Sequence, residues 1–123
     1  MKKDKKDESP QQSNLNNFEA QFKRSTTPLL VLELLSEREM YAYEIIQETL
    51  IRSNQQYRMP LLYTILNKMQ DQGYVVESRK EISEDNRVRN YYAITPEGRI
   101  YLSELKKLYG ALTESVIKIL KET

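Results

Sequence analysis

The chain has 123 residues, with 19 Lys and Arg against 18 Asp and Glu, a net charge of +1, and neither cysteine nor histidine. That length supports one domain with an appended helix, and the missing residue types exclude disulfides, thiolate zinc sites and the commonest acid–base side chain near neutral pH. Carboxylates alone can still run chemistry, but the balance is against an enzyme, and neither a cofactor nor a metal is expected. No apolar run approaches the roughly 20 residues that span a bilayer, and the charged N-terminus lacks the apolar stretch of a secretory signal, so a cytoplasmic protein with no membrane partner is expected.

In chain order, residues 1–14 are almost devoid of apolar side chains and read as a disordered charged tail. Order is expected from Leu15, with Leu15, Phe18 and Phe22 at helical spacing. Thr26-Thr27-Pro28 interrupts the pattern: either a new helix starts at Pro28 or one helix kinks there. The apolar run around Leu29–Leu35 reads as a helix buried from several sides. After the polar break Ser36–Glu39, a second helix is expected from Tyr41 to Arg52. A third runs from Pro60 to about Gln72, with Gly73 ending it. Its core stripe is Leu62, Ile65, Leu66 and Met69, and its other side carries Pro60, Tyr63, Thr64, Asn67 and Lys68.

The period then changes to two, giving strands over Tyr74–Lys80 and Arg87–Ile94 with a polar hairpin loop between them. Alternation places Val88, Tyr92 and Ile94 on one face and Arg87, Arg89 and Tyr91 on the other. Thr95-Pro96-Glu97 starts a last helix: a hydroxyl cap, Pro in the first turn and an acid beside it. That helix carries Tyr101, Leu105, Leu108, Leu112, Val116 and Ile119 as one apolar stripe, too long for a small domain to cover alone. The stripe predicts a homodimer interface, joined by Phe18 and Phe22 of the first helix.

Three helices, a two-stranded wing and a long final helix make an α+β winged helix-turn-helix. Residues 15–94 form its DNA-binding part and 95–121 its dimerisation helix. In this fold the third helix enters the major groove and the hairpin grips the flanking backbone. Double-stranded DNA is therefore the expected partner. Asn67 suits an adenine edge, and Lys68 and Arg58 suit phosphates. Arg87 and Arg89 would act from the wing, with Arg79 and Lys80 on its other strand. The acids Glu81, Glu84 and Asp85 in the same hairpin oppose this. With a net charge near zero, they favour the rival reading of a winged-helix module that binds proteins instead.

Three segments in order resemble the PadR family of bacterial repressors: Leu30–Ile51, Leu62–Met69 followed by Gly73-Tyr74-Val75, and Arg87–Gly98 with its paired tyrosines and Thr95-Pro96-Glu97-Gly98. The single final helix is similar to that of the shorter PadR subfamily, whose members dimerise through the first and last helices. The resemblance implies a repressor that binds a pseudo-palindromic operator, and it adds Tyr43 as a phosphate contact. Ala42 stands where the family usually has Gly. Met59-Pro60-Leu61 replaces the small or hydroxyl residues common before its Leu-Tyr. A family ligand site built between tryptophans is not carried over, since the chain has no Trp. A small effector in the dimer groove is left open.

Overall fold

The structure, a computed structural model, describes residues 9–121. Helix α1 spans Pro10–Glu37, 28 residues, with the Ser9 hydroxyl accepting from the Gln12 amide at 3.0 Å and Pro10 in the first turn. The expected tail is thereby corrected for 10–14, which are helical; its residues 1–8 lie outside the described residues. Ser-Pro is a helix-start pair of the same kind as Thr95-Pro96, and it outweighs the polar composition that follows it.

The two options at Pro28 resolve to one helix passing through the proline. Proline removes a backbone donor and crowds the preceding turn. The Tyr57 hydroxyl ties the turn before it, 2.6 and 2.9 Å from the Thr26 and Thr27 hydroxyls and donating to the Lys23 carbonyl at 3.3 Å. Thr26 also donates to the Phe22 carbonyl. Beyond the proline, Leu29, Val31, Leu32, Leu34 and Leu35 are all buried, so this half of α1 is the central strut of the core.

Strand β1, Met40–Tyr41, was not foreseen: two residues are too few to show a period. It makes the wing a three-stranded sheet rather than a two-stranded one. Helix α2 is Ala42–Arg52. Helix α3 is Leu62–Asp71, starting two residues later than expected. Leu61 caps it in the left-handed conformation (φ 47°), which breaks the helical path and leaves Pro60 outside. At the other end Gly73, at φ +85°, supplies the expected turn out of the helix.

Strands β2 (Val75–Ile82) and β3 (Val88–Ile94) form an antiparallel hairpin, and β3 also pairs with β1, giving the order β1-β3-β2. Met40 faces Tyr92 and Tyr41 faces Tyr91 across β1 and β3. Between β2 and β3, Glu77 pairs with Tyr92 but Arg79 with Tyr91, so a bulge lies at Ser78. Helix α4 spans Pro96–Leu120. The Thr95 hydroxyl accepts from the Gly98 amide at 2.9 Å and donates to the Gly73 carbonyl at 2.7 Å, joining the start of α4 to the end of α3.

The core gathers Leu32, Leu35, Met40, Ile45, Leu66 and Val75. Of α4, Leu102 is buried in it and Leu105 packs against it, while Tyr101 stacks on Tyr74 with ring centres 4.4 Å apart. Past Leu105 the stripe leaves the domain: Leu108, Leu112, Val116 and Ile119 are exposed, as are Phe18 and Phe22.

Candidate nucleic-acid interface

Helix α3 divides cleanly. Leu62, Leu66 and Met69 are buried, one turn apart, and hold it to the core. Tyr63, Thr64, Asn67 and Lys68 are exposed on the other side. Arg58 is exposed just before the helix. Neither Arg58 nor Lys68 has an ion-pair partner among the described residues. An open cleft of about 730 Å³ separates α3 from the first half of α1, and Arg58, Thr64 and Lys68 share its walls with Lys23 and Arg24. One acid, Glu19, lines it, and that acid is paired to Lys23 at 2.8 Å. The ground around α3 is therefore positive, although the chain as a whole is nearly neutral. Tyr43 is exposed on α2, and Pro60 is half-buried on the cleft wall.

The wing has two unlike faces, because cross-strand partners share a face. Tyr92 lies in the core, and its face continues outward through Glu77, Lys80, Asn90, Ile82 and Val88. Lys80 donates to Asn90 at 3.2 Å and sits 3.7 Å from Glu77. The opposite face carries Tyr41, Tyr91, Arg79, Arg89 and Glu81. Here the arginines are spoken for. Arg79 lies 3.8 Å from the Tyr91 ring centre and bonds Glu39 at 2.5 Å, with Glu81 at 3.4 Å. Arg89 lies 4.7 Å over the Tyr41 ring. At the tip, Arg87 is 3.4 Å from Asp85 yet its side chain stays 81% exposed.

The acids of this region are held in their charged form. Hydrogen bonds from Arg79 and then Ser78 keep the Glu39 carboxyl below the usual carboxylate range. The Tyr91 hydroxyl does the same for Glu81, and the Ser83 hydroxyl for Asp85. These are ion-pair and hydrogen-bond effects at an exposed surface. Among the described residues no cluster of three or more acids could hold a metal, and no helix is long and apolar enough to cross a membrane.

Sequence reading therefore found the α3 face, but it did not separate the wing cations. Arg79 and Arg89, expected as DNA contacts, are packed on tyrosines on the face away from the core, whereas Lys80 and Arg87 are the more open pair. Glu39, Ser78 and Tyr57 were missed altogether. No spacing rule marks a bulge or the residue that reaches it.

A short helix with one buried face and one free face flanked by cations, set beside a β-hairpin wing, is the arrangement of a winged-helix DNA-binding protein. The chain belongs to the transcriptional regulator PadR-like family, whose sequence model matches residues 31–104. It is thus a DNA-binding transcription regulator and not an enzyme. An uncharacterised protein of Lysinibacillus sphaericus is 30% identical over 89 residues, covering 71% of this chain and 81% of its own. A transcriptional regulator from Clostridium thermocellum is 30% identical, with a TM-score of 0.66 over 77% of this chain and 92% of that one. A PadR family transcriptional regulator from Eggerthella lenta is 25% identical, with a TM-score of 0.68 over 88% and 89%.

Proposed function

We propose that two copies of this chain join through α1 and α4 and repress transcription in the cytoplasm by covering a pseudo-palindromic operator. Each α3 enters a major groove, with half-sites centred about 10 bp apart. Thr64 and Asn67 read base edges, Tyr63 packs beside them, and Asn67 is the adenine reader. Arg58, Lys68 and Tyr43 hold phosphates, joined by Lys80 and Arg87 from the wing. Pro60 shapes the wall behind the tip of α3.

The observation that carries this reading is the free face of α3, flanked by the cations Arg58 and Lys68, which have no ion-pair partner among the described residues. The dimer rests on the apolar side chains left outside the domain: Phe18 is 70% exposed, Leu112 56% and Ile119 77%. Monomeric soluble proteins rarely leave so continuous a patch uncovered. A small effector bound between the two copies would act by favouring one spacing of the two α3 helices.

The rival, a winged-helix module that binds proteins, gains from the neutralised wing, where acids answer Arg79, Lys80 and Arg87. Fluorescence anisotropy on duplex DNA tests the two. With about six phosphate contacts per dimer, affinity falls roughly a thousandfold between about 50 and 200 mM salt. Asn67→Ala relaxes preference at one base position. Arg58→Ala weakens all sequences alike and lowers the salt slope by about 1 per contact removed. If both variants bind as the parent does, α3 is not the reading helix.

A further inference from the structure

Glu39 stands between the end of α1 and the start of β1, yet its carboxylate reaches β2. It accepts from the Ser78 hydroxyl at 2.7 Å and from the Arg79 Nε–H at 2.5 Å. In the sheet β1 and β2 are the two outer strands with β3 between them. Neighbouring strands lie about 4.8 Å apart, so this link spans two spacings and crosses the middle strand.

Tyr91 of the middle strand lies on the same face. The Arg79 guanidinium covers the ring, Tyr41 meets it edge-on at 5.2 Å and 73°, and the Tyr91 hydroxyl donates to Glu81 at 2.8 Å. Glu81 in turn faces Arg79 at 3.4 Å. The bulge makes the arrangement possible. In a regular strand Ser78 and Arg79 would point to opposite faces; at the bulge both reach one carboxylate.

We propose that Glu39 is a positioning residue for DNA binding. Through Ser78 and Arg79 it braces the hairpin against the corner between α1 and α2, and so sets the angle at which the wing meets the duplex while α3 lies in the groove. Arg79 serves the brace and not a phosphate. To bind phosphate it would have to leave two carboxylates and an aromatic ring. Single surface ion pairs add little to global stability. The brace therefore acts on the motion of the hairpin, and the core, which Glu39 does not enter, is untouched by its loss. The inference rests on the DNA-binding reading of α3 and the wing.

The test compares the full-length parent with Glu39→Ala, Glu39→Gln, Arg79→Ala and the double variant Glu39→Ala/Arg79→Ala. Amide hydrogen exchange of β2 and β3 is measured without DNA, and duplex binding is measured as a function of salt. The brace requires several-fold faster hairpin exchange in both alanine variants. It also requires a similar several-fold loss of affinity in each, an unchanged salt slope, and a double variant no worse than either single. Glu39→Gln, which keeps an acceptor, falls between parent and Glu39→Ala. A salt slope lowered by about 1 per contact removed, or about 2 for the dimer, in Arg79→Ala, with binding kept or tightened in Glu39→Ala, would make Arg79 a phosphate ligand and overturn the proposal. Unchanged exchange with DNA binding intact overturns the brace alone. A parent that binds no duplex overturns the function itself and this role with it, while the exchange data still report whether the hairpin is braced.

Discussion

A methyl group added at Gly98 would run into the carbonyl oxygen of Tyr74 and the side chain of Ile94. The first obstacle is backbone, so the root of α4 would have to lift off the end of the wing. Gly98→Ala should therefore cost about 1–3 kcal/mol, read as a lower urea midpoint at constant m-value. Tyr57→Phe removes the hydroxyl that meets Thr26 and Thr27 beside Pro28. Thr27 is fully buried, so its hydroxyl loses a partner that water cannot easily replace. A loss of about 1–2 kcal/mol is expected in thermal melts. Glu39 supplies a pH signature. Its pKa is lowered in the folded chain from an ordinary value of 4.5, so its contribution is complete above that value and is lost as pH falls through the folded pKa. An NMR titration of the Glu39 carboxyl should show its midpoint below 4.5, and Arg79→Ala should move it back toward that value. A midpoint that Arg79→Ala leaves in place would mean the guanidinium does not hold the carboxylate. Of these residues, Gly98 was visible in the sequence as part of a family signature, while Tyr57 and Glu39 were not. Each acts across a long stretch of chain, Tyr57 on Thr26 and Glu39 on Arg79, and local patterns do not record such distances.

The elements themselves were largely legible. Helix α4 announced itself through Thr95-Pro96-Glu97, α3 through its stripe and Gly73, and the hairpin through its change of period. The errors have particular causes. The start of α1 is hidden because polar residues follow Ser9-Pro10, and their composition masks the cap. The start of α3 moved because a left-handed Leu61 was not foreseeable from a residue type that seldom takes that conformation. β1 was invisible at two residues, and the Ser78 bulge changed which wing arginines share a face. For the candidate site, the free face of α3 followed from the stripe that buries its other side. The wing could be assigned cations but not their partners. At this scale the wing tip offers its own check. Arg87→Ala should weaken binding to all duplexes alike with a shallower salt slope, measured by titration at several salt levels. If it leaves the slope unchanged, Arg87 answers Asp85 alone.

For the molecule as a whole, two helices carry apolar surface that the domain does not use. The 25 residues of α4 extend for roughly 37 Å at about 1.5 Å per residue, and beyond Leu105 the stripe residues Leu108, Leu112, Val116 and Ile119 are exposed. Leu112→Glu or Phe18→Glu should split the assembly into monomers in sedimentation velocity and weaken duplex binding strongly, since each monomer then grips one half-site. A parent that sediments as a monomer would remove the dimer from the account. The near-neutral net charge is consistent with DNA binding only because its cations are unevenly placed: Lys23, Arg24, Arg58 and Lys68 gather around α3, while much of the wing is balanced by its own acids. That the free face of α3 reads DNA is the central claim, and its most direct test is a binding titration of the purified protein on the DNA upstream of its own gene, with unrelated duplex as competitor, at two salt levels. The account predicts retention that survives competitor, weakens steeply with salt and is lost in Asn67→Ala/Lys68→Ala. Binding that competitor abolishes, or that the double variant leaves intact, would contradict it.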